Sequence, residues 1–193
     1  FRPPRPSNPF EGVETGPSED RPEMKDREFD LILFGATGFT GGLAAEYLAS
    51  TKGSKYKWAI AGRSQGKLDV VKRKLVAGNS KMGELATVVA NSMDAKQMHA
   101  LARRARVVAS TVGPYAKYGT HLVTACARNG THYCDITGEI GWVRHVVANL
   151  DATARETGAR LVSCCGHDSA PWDLVTLAAA TELKTKHDDS LAK

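Results

Sequence analysis

The chain has 193 residues, 42% of them hydrophobic and 24% charged, with a formal net charge of +5, a composition that suits a globular domain with a sizeable core. No apolar run approaches the roughly 18 residues needed to cross a bilayer, and no dense Lys/Arg run with interleaved aromatics argues for nucleic acid, so neither a membrane span nor nucleic-acid binding is expected. Cys126, Cys134, Cys164 and Cys165 form no C-x-x-C pair or regular framework and read as packing residues of a reducing, intracellular compartment; no metal site is expected.

Residues 1–28 contain six of the eight prolines and carry five Lys or Arg against seven Asp or Glu, leaving +7 for residues 29–193. Without hydrophobic periodicity, this stretch predicts an extended arm or linker, a solvated tail unless it wraps onto a partner in a homodimer or larger assembly. The sequence opens at Phe1 rather than Met. Removal of a mitochondrial or other organelle leader fits that start, and so does an excerpt of a longer chain.

The first strand is predicted at Leu31–Phe34. It runs into Gly35, and Gly38 and Gly41 follow at three-residue spacing before a helix pattern containing Leu43, Ala44, Tyr47 and Leu48. A strand, a glycine-rich turn and a helix are the parts of a nucleotide-binding unit. The first glycine permits a tight turn, the second lets a pyrophosphate approach bare backbone, and the third lets helix pack on strand. The row is G-x-x-G-x-x-G rather than the usual G-x-G-x-x-G, a looser motif that also fits a turn binding nothing. As a site it nominates Gly35, Ala36, Thr37, Gly38, Phe39 and Thr40 around the pyrophosphate.

A second strand, residues 56–61, leads into Gly62-Arg63-Ser64. NAD-specific sites place an acid near this strand end to hold the ribose hydroxyls, and a carboxylate there would repel the 2′-phosphate of NADP. Arg63 and Ser64 stand in its place, which favours NADP over NAD; the guanidinium offers a charge-assisted contact to phosphate and a plane to stack on adenine. Arg63 capping a strand end in solvent is the plainer reading.

A helix over 65–77 and a third strand over 86–90 follow. In a doubly wound sheet Asn91 would lie near the adenine, while Ser92 or Asp94 would cap the next helix. The fourth strand, 106–112, is nearly continuous in apolar residues, as a parallel strand covered on both faces should be. It discharges into Gly113-Pro114-Tyr115, so Thr111, Gly113 and Pro114 would shape the cofactor path. Tyr115 would either approach the nicotinamide or pack. Tyr115 and Lys117 do not form the Y-x-x-x-K pair of short-chain dehydrogenases.

A helix over 119–127, a fifth strand over 131–135 and a long helix stopped by Gly158 come next. Asp135 and Glu139 are acids near the crevice edge, where turn formation and helix N-terminal charge explain them better than catalysis does. A sixth strand, 159–164, leads to Gly166-His167-Asp168-Ser169-Ala170-Pro171, where a last helix begins. Adjacent Ser, His and Asp cannot converge as a relay triad, and His167 fits a structural role better than an acid's.

The blocks Phe34–Gly41, Ala61–Ser64, Val112–Tyr115, Tyr133–Glu139 and Gly166–Pro171 occur in the order seen in saccharopine dehydrogenase-like oxidoreductases, which the chain resembles from about Phe29 to Leu183. The resemblance implies a Rossmann-type doubly wound α/β domain over 29–184, with a mainly parallel sheet and helices on both faces, that binds a nicotinamide cofactor. It also implies a C-terminal domain that supplies much of the substrate site and the dimer contacts, absent from this chain; 185–193 would be a tail or its beginning. The family includes saccharopine reductases and relatives described as trans-acting enoyl reductases. His167 departs from the Phe common in the family. Two readings stay open: an NADP-dependent oxidoreductase acting on an unidentified small molecule, and a noncatalytic subunit of a larger complex that keeps the fold.

Overall fold

The computed structural model describes residues 8–51 and 55–188. Its six strands, β1 (Phe29–Phe34), β2 (Trp58–Gly62), β3 (Ala86–Val89), β4 (Ala105–Ser110), β5 (His132–Asp135) and β6 (Leu161–Val162), form one parallel sheet in the order β3-β2-β1-β4-β5-β6. The strand order reverses between β1 and β4. Loops leaving the carboxyl ends of those two strands therefore diverge and open a crevice.

Between the strands lie α1 (Phe39–Thr51), α2 (Gln65–Gly78), α3 (Ala95–Arg103), α4 (Tyr115–Tyr118), α5 (Thr120–Asn129) and α6 (Ile140–Thr157); α7 (Ala170–His187) follows β6. From Leu31 onward, alternate residues of the central strand feed two separate cores. Phe29, Ile32 and Phe34 join Met98, Leu101, Leu122 and Leu150 of α3, α5 and α6, whereas Leu33 joins Ala45, Leu68 and Leu75 of α1 and α2. Both faces are apolar, which is why β1 reads as an unbroken run rather than an alternation. This is the Rossmann-type, doubly wound α/β fold that the sequence predicts, with helices on both faces.

Two strands stop two residues before their predicted ends. β4 stops at Ser110, whose carbonyl accepts the Tyr115 hydroxyl at 2.9 Å. β6 keeps only two residues because the chain then turns onto Asp135: the Cys164 N–H donates to its carboxylate at 3.0 Å, the Cys165 N–H donates to its carbonyl at 2.8 Å, and Cys164 adopts a left-handed φ of 63°.

The solvated-tail reading of the arm is corrected for residues 8–28; residues 1–7 lie outside the described residues. Phe10 enters the core shared with α3, α5 and α6. The Ser18 N–H donates to the Arg128 carbonyl at 2.9 Å, and Thr153 Oγ1 donates to the Thr15 carbonyl at 2.8 Å. Arg27, buried, donates to the carbonyls of Ala102 and Asn129 at 3.1 and 2.6 Å, so one cation serves the last turns of α3 and α5. Acidic arm residues meet basic helix residues: Glu14 pairs with Arg128 at 2.7 Å and Asp20 with Arg103 at 2.5 Å. The arm is held by single anchors rather than a periodic face, so a search for periodicity passes over it. No described helix is long and apolar enough to cross a membrane.

Candidate functional site

The glycine bend between β1 and α1 has the steric logic its spacing predicts. Gly35 adopts a φ of 99°, and a Cβ there would lie 2.6 Å from Thr111 Oγ1; a Cβ at Gly41 would overlap the Gly35 carbonyl. Only glycine suits either place. Gly38 is exposed and meets nothing closer than ordinary contact, so its missing side chain leaves the outer surface of the bend bare.

Hydrogen bonds divide the predicted cradle into two parts. The N–H groups of Gly35 and Ala36 both donate to the Ala61 carbonyl of β2, at 2.9 and 3.3 Å, and the Gly38 N–H donates back to Gly35 at 3.0 Å. Ala36 is fully buried beside α1 and α2. These residues shape the bend. Amides at the start of α1 have no partner inside their own helix, and the turn closes with the Gly42 N–H on the Gly38 carbonyl at 2.8 Å. Phe39 and Thr40, both exposed, therefore present the N–H groups and positive dipole end that suit a phosphate.

Above this bend lies a cavity of ≈ 200 Å³, floored by Phe34, Gly35, Thr37 and Gly38 and walled by Gly62 and Arg63 on one side and Thr111, Val112 and Gly113 on the other. The loops after β1, β2 and β4 thus meet where the strand order reverses. Thr111 Oγ1 donates to the Phe34 carbonyl at 3.3 Å, which ties the β4 loop to β1. Clefts of ≈ 220 and ≈ 280 Å³ lie under the arm and beside β6. Neither gathers loops from several strand ends.

Arg63 borders the cavity and is exposed. Ser64 occupies the N-cap of α2, but its side chain makes no capping bond. An uncapped fourteen-residue helix beside a free guanidinium is a second place where anionic charge is favoured.

Hydrogen bonds and packing place the other predicted positions. Asn91 Oδ1 is occupied by the Met93 N–H at 3.1 Å, and its own N–H donates to Gln97 Oε1 at 2.9 Å. The neighbouring Ser92, buried, borders the cavity instead. Asp94 is the cap, accepting the Gln97 N–H at 3.0 Å. The Tyr115 ring does not reach toward the crevice; it is buried against Trp142, centroids 5.6 Å apart, and burial raises its hydroxyl pKa far above the usual value. Pro114 is exposed beside Gly113 and joined to it by a cis peptide bond.

Asp135 and Glu139 hold the rim together. Asp135 is buried and accepts from the Tyr133 hydroxyl at 2.9 Å, the Thr137 N–H at 3.1 Å, the Ser163 hydroxyl at 3.2 Å and the Cys164 N–H at 3.0 Å. Glu139 Oε1 and Oε2 accept the N–H groups of Tyr115 and Ala116 at 2.6 and 2.9 Å. Ser92 and Glu139 are what sequence reasoning missed. The choice among Asn91, Ser92 and Asp94 needs the turn geometry, and Glu139 acts on residues 23 and 24 positions earlier in the chain.

Residues 31–162 match the family model described as the saccharopine dehydrogenase NADP binding domain. The chain belongs to that family. NADP is accordingly the nucleotide of this domain, and the cavity suits it: bare glycine backbone, outward-facing helix amides and a guanidinium at the β2 end. The chain is 44% identical over 149 residues to a trans-acting enoyl reductase of Mycobacterium bovis (strain BCG / Pasteur 1173P2), covering 77% of this chain and 35% of that protein. It is 47% identical over 148 residues to a trans-acting enoyl reductase of Mycobacterium leprae (strain TN), covering 77% and 34%. The apo saccharopine dehydrogenase (L-Glu forming) from Saccharomyces cerevisiae superposes with a TM-score of 0.59 at 15% identity, over 82% of this chain and 31% of that one, which shows a shared fold. The chain spans about a third of the length of the curated relatives it matches.

Proposed function

We propose that this saccharopine dehydrogenase-type domain holds NADP(H) as the hydride carrier of a reductase, with the adenosine end between β2 and β3 and the nicotinamide end toward β4 and β5. The observation that carries the reading is the crevice at the strand-order reversal, with Arg63 and the open N-terminus of α2 at one end and Gly113 at the other. When bound, the nicotinamide supplies the hydride. The residues of this chain bind and orient. Phe39 and Thr40 offer their N–H groups to the pyrophosphate, over a bend built by Gly35, Ala36, Thr37, Gly38 and Gly41. Arg63 and the Ser64 hydroxyl meet the 2′-phosphate, Ser92 faces the adenosine, and Thr111, Gly113 and Pro114 shape the nicotinamide end.

The name of the mycobacterial relatives supports enoyl reduction as the reaction class, in which a carbon–carbon double bond gains the hydride and a proton. It also supports a substrate presented by another protein, since those relatives are described as acting in trans. Calorimetric titration with NADPH and NADH tests the cofactor end. A charge-assisted contact is worth about 1.5–3 kcal/mol, so Arg63→Ala is expected to weaken NADPH roughly 10- to 100-fold while leaving NADH little changed. Equal affinities for the two nucleotides, untouched by the substitution, would overturn the assignment of Arg63.

A further inference from the structure

We propose that Glu139 is a positioning residue for the nicotinamide end of the crevice, acting through the loop that carries Gly113 and Pro114. This rests on the NADP(H) reading above. The loop has little to fix it locally. Gly113 has no side chain, Pro114 has no N–H, and both are exposed. The helix that follows, α4, has four residues and no side-chain cap of its own. So short a helix does not hold itself, because nucleation costs more than one turn of hydrogen bonds returns.

What holds it comes from the opposite rim. The two oxygens of Glu139 each take one orphan N–H of α4, from Tyr115 at 2.6 Å and Ala116 at 2.9 Å. Glu139 is itself set by a chain of bonds from the end of β5: its N–H donates to Thr137 Oγ1 at 3.0 Å, and the Thr137 N–H donates to Asp135 at 3.1 Å. The buried Tyr115 ring completes the tie, its hydroxyl donating to the Ser110 carbonyl at 2.9 Å and accepting the Ile136 N–H at 3.4 Å. The end of β4, the loop after it and the loop after β5 are thus one hydrogen-bonded unit. Gly113, which lines the cavity, takes its place from it. Arg63 and Ser64 take no part. Loss of Glu139 therefore loosens one end of the crevice and spares the other.

Two ligands separate the ends. NADPH spans the whole crevice, whereas 2′,5′-ADP carries the adenosine and 2′-phosphate without the nicotinamide. With the full chain, Glu139→Ala is expected to weaken NADPH about tenfold, since two charge-assisted acceptor bonds are lost, and to change 2′,5′-ADP by less than about twofold. Glu139→Gln keeps one acceptor oxygen and should fall between. If the Ala variant gives no cooperative melt, the Gln variant decides by the same comparison. Parallel losses for both ligands, or no loss for either, would overturn the proposal. Wild-type protein that binds 2′,5′-ADP no better than 5′-AMP would instead remove the role of Arg63; NADH and 5′-AMP then replace NADPH and 2′,5′-ADP, and a loss confined to NADH supports the role of Glu139 while any other pattern overturns it. Protein that binds none of these nucleotides overturns both.

Discussion

At the scale of single residues, two kinds of side chain govern the carboxyl edge of the sheet: those whose absence is required and those whose oxygen atoms bind loops together. Gly41 is of the first kind. Adding a methyl group drives it into the Gly35 carbonyl, and backbone cannot swing aside as a side chain does. Gly41→Ala is therefore expected to lower stability by about 1–3 kcal/mol and to weaken NADPH at least tenfold, read by denaturant melts and titration together; wild-type values in both would refute the packing argument. Asp135 is of the second kind. Asp135→Ala leaves the Thr137 and Cys164 N–H groups and the Tyr133 hydroxyl without their acceptor, a loss of about 3 kcal/mol or more at roughly 1–3 kcal/mol per unsatisfied group. Urea unfolding measures it. Ordinary sequence logic reached these residues unequally: Gly41 was legible from spacing, whereas Asp135 read as a turn former because its partners in the β6 loop lie 28 and 29 residues away.

Among elements, the contact of the arm with α3 and the neighbourhood of β5 make stability depend on pH. Burial, then the nearby Arg103 and Arg128, lowers the pKa of His99 below its ordinary 6.5, with Asp20 and Glu14 opposing in part. Burial, then Arg160 and Arg106, lowers that of His132, whose Nδ1 accepts the Arg160 N–H at 3.1 Å and so requires the neutral ring. Below pH 6.5 the unfolded chain takes up protons at both positions that the folded chain refuses, so stability is present above that pH and is lost as pH falls through the lowered folded values. The melting temperature is expected to drop between pH 7.5 and 5.5, and His99→Gln should shrink the drop. A flat profile would show that neither ring is held neutral. His99 Nε2 lies 3.3 Å from Ser18 Oγ of the arm, so this dependence belongs to a contact between distant parts of the chain. Local patterning predicted α3 but not the strap that reaches it.

At the scale of the whole molecule, apolar side chains of the described residues stay exposed in clusters along α7 and α1. α7 has no buried residue, and Trp172, Leu174, Val175 and Leu177 are all exposed. On α1, Phe39, Leu43 and Tyr47 recur at four-residue spacing along one exposed face, while Gly41, Ala45 and Ala49 face inward. Clustered exposed hydrophobic residues are the usual mark of an interaction surface. The three tryptophans make the difference measurable: Trp58 and Trp142 are 5% and 3% exposed, and Trp172 is 63% exposed. Acrylamide is expected to quench a red-shifted component that vanishes in Trp172→Phe and to spare the remainder. A wholly buried emission that acrylamide barely quenches would show that α7 is covered in solution.

The sequence by itself determined the strand and helix order, the glycine bend and the basic end of the second strand, because these depend on short-range sterics, on periodicity and on the charge of one side chain. It also carried the family resemblance, since that lies in short blocks whose spacing survives without coordinates. Tertiary structure decided the rest. It turned Tyr115 into the core and Ser92 toward the cavity, laid the arm along α3, α5 and α6, and set Glu139 on amides from another loop. Each of those outcomes is a contact between residues far apart along the chain or a choice between adjacent ones, and such contacts exist only once the sheet has brought its carboxyl-end loops together.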